Sequence, residues 1–382
     1  MRKALAYSLT ALTLALPATS AQAYVGLCCG KCGGNMPLNI MGAGVPETKE
    51  FRFKVSPMTM HMEDLSDGGD SIDGDTLLGN PYMAVPTAMD MQMLNITAGY
   101  SFTDDLFGGV MFMYKDNSMD MKFSSMMQGI TGQEGYTMES SGLADTMLMG
   151  KYRLFTDDPL VPTRQASLMF GLSLPTGSID EKNTTHPLAM RQGELLPYSM
   201  QLGSGTFDPS IGIVYSGSKS PYWWGANAIY TARLYDNERD YRLGNEFRID
   251  LYGMYQMRHD LVAELQLNGS YWGKIRGEMD ESVTGASGHA IQNDPDSPYM
   301  TPMWDTDNYG GRKLLATVGL QWQPVPLQIV AFDIGAPLYQ HLNGPQLEEK
   351  YRLMLTWYIE IPTQGSVRYK QRKTEGESSL GF

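Results

Sequence analysis

The chain has 382 residues, a formal net charge of -13 and a hydrophobic fraction of 42%. This acidity disfavours nucleic acid as a partner, because a phosphate backbone attracts basic surfaces. Beyond the first 23 residues, no stretch approaches the 18 consecutive apolar residues that a membrane-spanning helix needs, so any membrane residence must come from strands.

Residues 1–23 have the pattern of a secretory signal peptide. Arg2 and Lys3 precede an apolar run from Leu5 to Leu16, and the segment ends in the small-residue cleavage site Ala21-Gln22-Ala23. The pattern predicts Sec-type export, with a mature chain that starts at Tyr24.

Residues 24–49 form a Cys/Met-rich segment, predicted to be periplasmic. Cys28, Cys29 and Cys32 are followed by Met36 and Met41. In an oxidising compartment, this set predicts either a Cys29 to Cys32 disulfide with a spare thiol or a soft-metal site. A zinc site is poorly supported, because neither a fourth cysteine nor a nearby histidine completes four ligands.

Apolar and polar residues alternate with a period of two through most of residues 50–362, which is typical of half-buried strands. Twelve such segments start at Phe51, Leu94, Val110, Ala144, Ala166, Ile211, Tyr222, Phe247, Leu261, Leu314, Leu327 and Leu353. An even set of alternating strands behind a signal peptide predicts an all-β, antiparallel transmembrane barrel of about twelve strands. Residues 363–382 are predicted to be a polar C-terminal tail.

The connections between these segments alternate in length. Short turns alternate with long polar loops near 63–88, 115–141, 176–206, 234–245, 274–311 and 338–350. Aromatic residues crowd beside the short turns, where a periplasmic girdle is expected. The sequence therefore predicts short turns in the periplasm and long loops outside, in the outer membrane of a Gram-negative bacterium.

The inward positions of the later strands carry charges of both signs. The predicted lumen residues are Asp145, Lys151, Arg153, Arg233, Arg248, Asp250 and Glu264. Charges inside a barrel serve either as a selectivity filter or as paired struts that stiffen the wall, and inward-facing charges usually find partners.

Methionine is concentrated early in the chain: 19 of the 28 methionines lie within the first 149 residues. The candidate soft-metal ligands are Met58, Met60, His61, Met62, Met89, Met91, Met93, Met111, Met113, Met147 and Met149. On a strand, residues two apart share a face, so each Met-x-Met pair offers two thioethers to one space. Such thioether ligands suit Cu(I). The sequence indicates no other cofactor. The alternative is that the methionines are flexible apolar filling.

Enzyme chemistry has little support in the sequence. The five histidines lie in predicted loops, in turns or in the methionine segment, and none belongs to a serine or cysteine nucleophile motif. A non-enzyme is predicted, with an outer-membrane hydrolase as the remaining alternative.

Three segments carry a family resemblance. They are Ser141 to Thr146 running into Lys151 to Leu154, Gly171 to Gly177, and Gln201 to Asp208. In their order and spacing, the chain resembles outer-membrane proteins of the meta-pathway of phenol degradation family. The resemblance implies a barrel associated with uptake of small, often aromatic molecules, and it carries over no binding residues. The cysteine segment and the methionine density depart from the general pattern and put an aromatic substrate in doubt.

The sequence as a whole predicts an outer-membrane channel for a small solute, with lipid and a small-molecule or metal-ion cargo as its partners. A more specific version of this prediction is that the channel binds or conducts copper along the methionine faces of its strands. The alternative is a metal-binding protein whose barrel is only an anchor. The oligomeric state is left open.

Overall fold

The computed structural model describes residues 36–40, 49–79, 81–158 and 162–366. The strands are β1 (Glu50–Gly68), β2 (Asp70–Ile72), β3 (Ala84–Ser101), β4 (Leu106–Phe123), β5 (Gly135–Leu143), β6 (Thr146–Thr156), β7 (Arg164–Leu174), β8 (Asp208–Lys219), β9 (Tyr222–Thr231), β10 (Tyr241–Arg242), β11 (Glu246–Arg258), β12 (Leu261–Trp272), β13 (Arg276–Gly277), β14 (Gly311–Val325) and β15 (Gln328–Pro362). In the described part of the chain, the α-helices α1 (Ser125–Thr131) and α2 (Asp280–Val283) lie between strands. The signal peptide, the cysteine cluster and most of the tail lie outside the described residues.

The strands form one closed antiparallel sheet. Each wall strand pairs with its neighbours in chain order, and β15 pairs with β1 from Glu50 opposite Pro362 onward, which closes the ring. Closure leaves no unpaired edge, which is the condition for a sheet to cross lipid. The predicted all-β antiparallel barrel is confirmed.

Within the described residues, eleven strand elements form the ring, while β2 pairs with β1 and β5 pairs with β4 beside it. The last two predicted strands are arms of the single element β15: positions 328–342 pair with β14 and positions 342–362 pair with β1. The predicted loop at 338–350 is therefore wrong, because this hairpin keeps its ladder of hydrogen bonds where the apolar alternation has stopped. The ladder needs only backbone groups, whereas the alternation needs an apolar environment on one side.

The outer surface of the ring is apolar, and the predicted outward faces are largely correct. Ile213 on β8, Leu265 on β12 and Trp357 on β15 are among the exposed hydrophobic residues. One exception is the segment predicted to begin at Leu327, where Ala331 is fully buried and Phe332 is exposed. Both phases of this segment are apolar, so its alternation could not distinguish the two faces.

Glycines in the barrel wall are covered by aromatic rings from neighbouring strands. An ideal Cβ on Gly150 would lie 2.1 Å from the ring of Phe170, its cross-strand partner. An ideal Cβ on Gly99 would likewise lie 2.2 Å from the ring of Phe107. Such pairs let an aromatic residue pack flat against the sheet and pin the register of the strands.

The two ends of the barrel differ. At the short-turn end, defined by the connections 102–105, 220–221, 259–260 and 326–327, strands are joined almost directly. At the opposite, long-loop end, residues 175–207 and 273–310 fold inward as a cap around a core of Tyr198, Tyr241, Met279 and Trp304. Of the helices in the described part of the chain, none is long and apolar enough to cross a membrane.

Candidate functional site: a two-sided chamber in the barrel lumen

The lumen contains a chamber of about 790 Å³. Side chains from both sides of the barrel line it, cap residues such as Tyr198 and Leu202 cover its long-loop side, and Asn39 and Ile40 lie at its other side. Its volume is in the range of pockets that enclose a small organic ligand.

One wall of the chamber consists of methionines. Seven candidate residues line it: Met58 on β1, Met91 and Met93 on β3, Met111 and Met113 on β4, and Met147 and Met149 on β6. Strand pairing places them side by side, with Met58 opposite Met93 and Met111 opposite Met147. These four strands are adjacent in the ring, so the early methionine repeats become one continuous thioether surface.

The remaining predicted metal ligands lie elsewhere. Met60 shares the inward face, opposite Met91, but does not line the chamber. Met89 belongs to a buried apolar cluster with Met119, Met121 and Met138 near the cap, and Met62 packs against this cluster. Their packing there fits the filling interpretation of methionine.

His61 is separated from the methionines on either side of it. Its Nδ1 lies 2.7 Å from Asp90, and its ring stacks on Tyr351 at 5.5 Å between centroids. Residues one apart on a strand point to opposite faces, so His61 lies outside while Met60 and Met62 lie inside. The strand geometry therefore separates His61 from Met60 and Met62. Cys28, Cys29 and Cys32 lie outside the described residues, and within those residues no group of three His, Cys, Asp or Glu could hold a metal ion.

The wall opposite the methionines is polar, and most of its charged side chains have partners. Arg248 lies 3.3 Å from Glu246, and Asp250 accepts hydrogen bonds from the amides of Asn227 and Asn268. Lys313 and Arg352 both donate to Glu349, at 2.6 Å each. Glu349 has no exposed side-chain surface, so this triad stiffens the wall as the strut interpretation predicts.

The predicted lumen charges fall into two groups. Asp145, Arg233, Arg248 and Asp250 line the chamber. Lys151, Arg153 and Glu264 do not: Lys151 is buried, Arg153 pairs with Asp105 at the short-turn end, and Glu264 accepts from Gln266 and Gln321. Periodicity identifies the face of each residue but not its depth in the barrel.

The N-terminal residues 36–40 lie inside the barrel. Met36, Leu38 and Ile40 are buried against wall residues such as Val214, Val262 and Ala331. Asn39 exchanges two hydrogen bonds of 2.9 Å with Gln266, and Gln321 donates to the Met36 carbonyl at 3.0 Å. This segment therefore obstructs the lumen on the short-turn side of the chamber.

Two lysines that the sequence analysis did not single out also line the chamber. Lys54 donates to the carbonyl of Leu38 at 3.0 Å, and Lys115 donates to the carbonyl of Leu202 at 3.3 Å. Both occupy inward positions by the period-two pattern of β1 and β4. The odd or even position of a residue within its strand, its parity, was the available sequence signal for the two lysines. Only the structure shows which residues lie opposite Lys54 and Lys115.

The three segments that carry the family resemblance meet at one point of the wall. Asp145 accepts from the backbone N–H groups of Gly177 and Ser204, at 2.9 and 2.8 Å. Ser204 Oγ lies 2.7 Å from Asp145 and 2.8 Å from Asp208, which in turn pairs with Arg233. These contacts hold the cap loop 175–207 against β6 and β8, so these motif residues have a structural role.

A closed antiparallel ring with an apolar outer surface and a polar chamber is the architecture of an outer-membrane β-barrel. The family described as MetA-pathway of phenol degradation matches residues 92–296, and the chain belongs to it. No curated protein sequence matches this chain.

Solved structures share the fold at low sequence identity. An outer membrane channel from Pseudomonas putida F1 is 12% identical, with a TM-score of 0.53 over 85% of this chain and 100% of the other. The P. putida toluene transporter TodX is 9% identical (TM-score 0.36, 84% and 91% covered), and the NanC porin is 8% identical (0.37, 80% and 100%). The first supports the barrel fold, while the other two TM-scores are too low to support an argument.

Proposed function

We propose that this protein is a channel of the Gram-negative outer membrane that passes a small solute through its lumen. The observation that carries the proposal is the chamber of about 790 Å³ between the cap and residues 36–40. In this proposal the chain is exported by the Sec pathway, and the short-turn end faces the periplasm. No catalytic step is part of it.

Transit requires residues 36–40 to move. Their polar contacts to the wall come from three side chains, Lys54, Gln266 and Gln321, in addition to the burial of three apolar side chains. No element of regular secondary structure includes them, so they can leave without breaking the strand ladder. The wall then stays closed while the lumen opens.

Conductance in planar bilayers tests this proposal. The mature chain from Tyr24 should give small channels, and a variant lacking residues 24–40 should conduct several-fold more current, because the obstruction is gone. A variant lacking residues 367–382 is the control for removal of a terminal segment. Folded barrels without conductance in all three forms would refute the channel.

Aromatic compounds are the proposed cargo. The description of the family refers to phenol degradation, and thioether sulfurs make favourable contacts with aromatic rings. The seven methionines of the chamber therefore offer a ring-sized apolar wall within a polar lumen. This makes the methionine density compatible with an aromatic substrate.

A second candidate is soft-metal binding, with the barrel as an anchor. It is favoured by the same seven thioethers, since several soft ligands in one chamber suit Cu(I). Refolding with Cu(I) tests it: a variant with Met91 and Met93 changed to leucine should bind less copper than the parent chain, as should one lacking Cys28, Cys29 and Cys32. Equal copper content in all three proteins would remove these residues from consideration.

A further inference from the structure

Lys54 and Lys115 differ from the other cationic side chains of the chamber. Arg233, Arg248, Lys313 and Arg352 each lie within 4 Å of a carboxylate. Among the described residues, Lys54 and Lys115 have no such partner, and each donates only to a backbone carbonyl. Both are partly buried, where an ammonium without a counter-charge is costly to maintain. Their surroundings therefore leave room for an anion.

The nearby carboxylates of the chamber are already occupied. Asp145 accepts from two backbone N–H groups and lies within hydrogen-bond distance of the Ser204 hydroxyl. Asp250 accepts hydrogen bonds from the amides of Asn227 and Asn268. Glu246 forms an ion pair with Arg248. These contacts fix the carboxylates in the wall and leave the two lysine ammonium groups as the available positive charges.

The two lysines lie beside the methionine wall at different depths. On β3, Thr97 is the register partner of Lys54 and Met93 is the partner of Lys115. These partners are four residues apart, which corresponds to about 13 Å along a strand. Met58, Met111 and Met113 lie on the same chamber wall. Met93 also pairs with Met58, and Thr97 also pairs with Met111, so methionines lie beside both lysines. A solute carried along this wall would contact methionines at each lysine.

Each lysine also contacts one of the two segments that close the chamber, the cap loop or residues 36–40. Lys115 donates a hydrogen bond to the carbonyl of Leu202 in the cap loop. Lys54 donates one to the carbonyl of Leu38 in the N-terminal segment. A carboxylate on an ammonium makes a stronger hydrogen bond than a neutral carbonyl does. An anionic solute would therefore compete with the cap at Lys115 and with the N-terminal segment at Lys54.

We propose that the channel selects small aromatic anions, whose carboxylate binds Lys115 and then Lys54 while the ring slides along the methionine wall. This inference rests on the proposed function and names its substrate class. Binding displaces the Leu202 carbonyl first and the Leu38 carbonyl second, so the solute loosens each obstruction as it arrives.

Two probes with the same ring and opposite charge test the proposal: benzoate and benzyltrimethylammonium. Reversal potentials in bilayers should show benzoate to be about tenfold more permeable, as expected for a hydrogen bond to a charged group. Lys54→Met and Lys115→Met extend the methionine wall without charge and should each reduce this preference. Lys122→Met is the matched control, since Lys122 lies on the same strand as Lys115 but pairs with Asp75 outside the chamber.

A conducting parent channel that passes both probes equally would overturn the anion proposal and leave the channel itself intact. A barrel that does not conduct would refute the proposed function. Binding then gives an independent readout: 4-fluorobenzoate, followed by fluorine NMR, should bind the parent barrel about tenfold more tightly than a Lys54→Met, Lys115→Met double variant. Equal affinity in these two proteins, each shown to be folded by its gel shift on heating, would also overturn the anion proposal.

Discussion

Asp145→Asn tests the contacts that hold the cap loop to the wall. The carboxylate of Asp145 accepts the N–H of Gly177 on one oxygen and the N–H of Ser204 on the other, at 2.9 and 2.8 Å. An asparagine has one acceptor oxygen, so its amide nitrogen must face one of these donors. The two backbone N–H groups cannot both stay paired.

The size of the effect follows from one lost hydrogen bond to a charged group. Such a bond contributes about 1.5–3 kcal/mol, and a buried donor left without a partner adds to the loss. We expect the loop to open more easily by about 2–3 kcal/mol, which is roughly 30- to 150-fold in the opening equilibrium because 1.36 kcal/mol is tenfold. The strand ladder of the barrel should be unaffected, because Asp145 lies between β5 and β6.

Hydrogen exchange measured by mass spectrometry reports this directly. Peptides covering 175–186 and 201–207 should lose protection by the stated factor, while peptides from β11 and β12 should not change. Asp120→Asn is the control, because Asp120 accepts the Thr137 hydroxyl at an exposed site. Unchanged protection around Gly177 and Ser204, or an equal loss in the control, would refute the structural role of Asp145.

Three further outcomes are expected. Burial, with a smaller contribution from Arg191, lowers the pKa of His186 in the cap to about 4. The opened cap therefore binds a proton at His186 that the closed cap excludes, so between pH 7.5 and pH 5 the parent should lose about 1–2 kcal/mol more cap stability than a His186→Gln variant. Burial raises the pKa of Glu194 to about 7, which contributes in the opposite direction in both proteins. Exchange of residues 183–192 measures this difference, and a His186→Gln variant that loses stability equally on acidification would contradict it. Gly150→Ala should lower the thermal midpoint of the barrel, because the new methyl group meets the Phe170 ring at a cost of about 1–3 kcal/mol. Adding Phe170→Ala should remove most of this loss of stability. Additive losses in the double variant would contradict the contact. Gln266→Leu removes both hydrogen bonds to Asn39 and should increase channel conductance, with no change in conductance counting against residues 36–40 as the obstruction.

Sequence periodicity was sufficient to predict the wall. A strand in a barrel has lipid on one side and the lumen on the other, so its side chains must alternate, and ten-residue segments record that alternation. This signal fails where its physical cause is absent. It missed the continuation of β15 through 338–350, beyond the apolar band, and it chose the wrong face at Ala331, where both faces are apolar.

The candidate site was predictable only in part. Parity placed Met91, Met93, Met111 and Met113 on the inner face, and the structure joins them in one chamber because β1, β3, β4 and β6 are adjacent. Parity alone argued against grouping His61 with its neighbouring methionines. Depth along the barrel depends on register between strands, which no single strand encodes.

The sequence by itself determined the barrel, the family and the inward face of most strands, because these follow from local alternation and from motifs within one chain segment. Only the tertiary structure decided what occupies the lumen. Residues 36–40 contact positions more than 200 residues away, such as Gln266, and the cap loop brings Leu202 to Lys115. Such contacts arise when a closed ring brings distant segments into one enclosed space, where side-chain pairing and packing choose the partners.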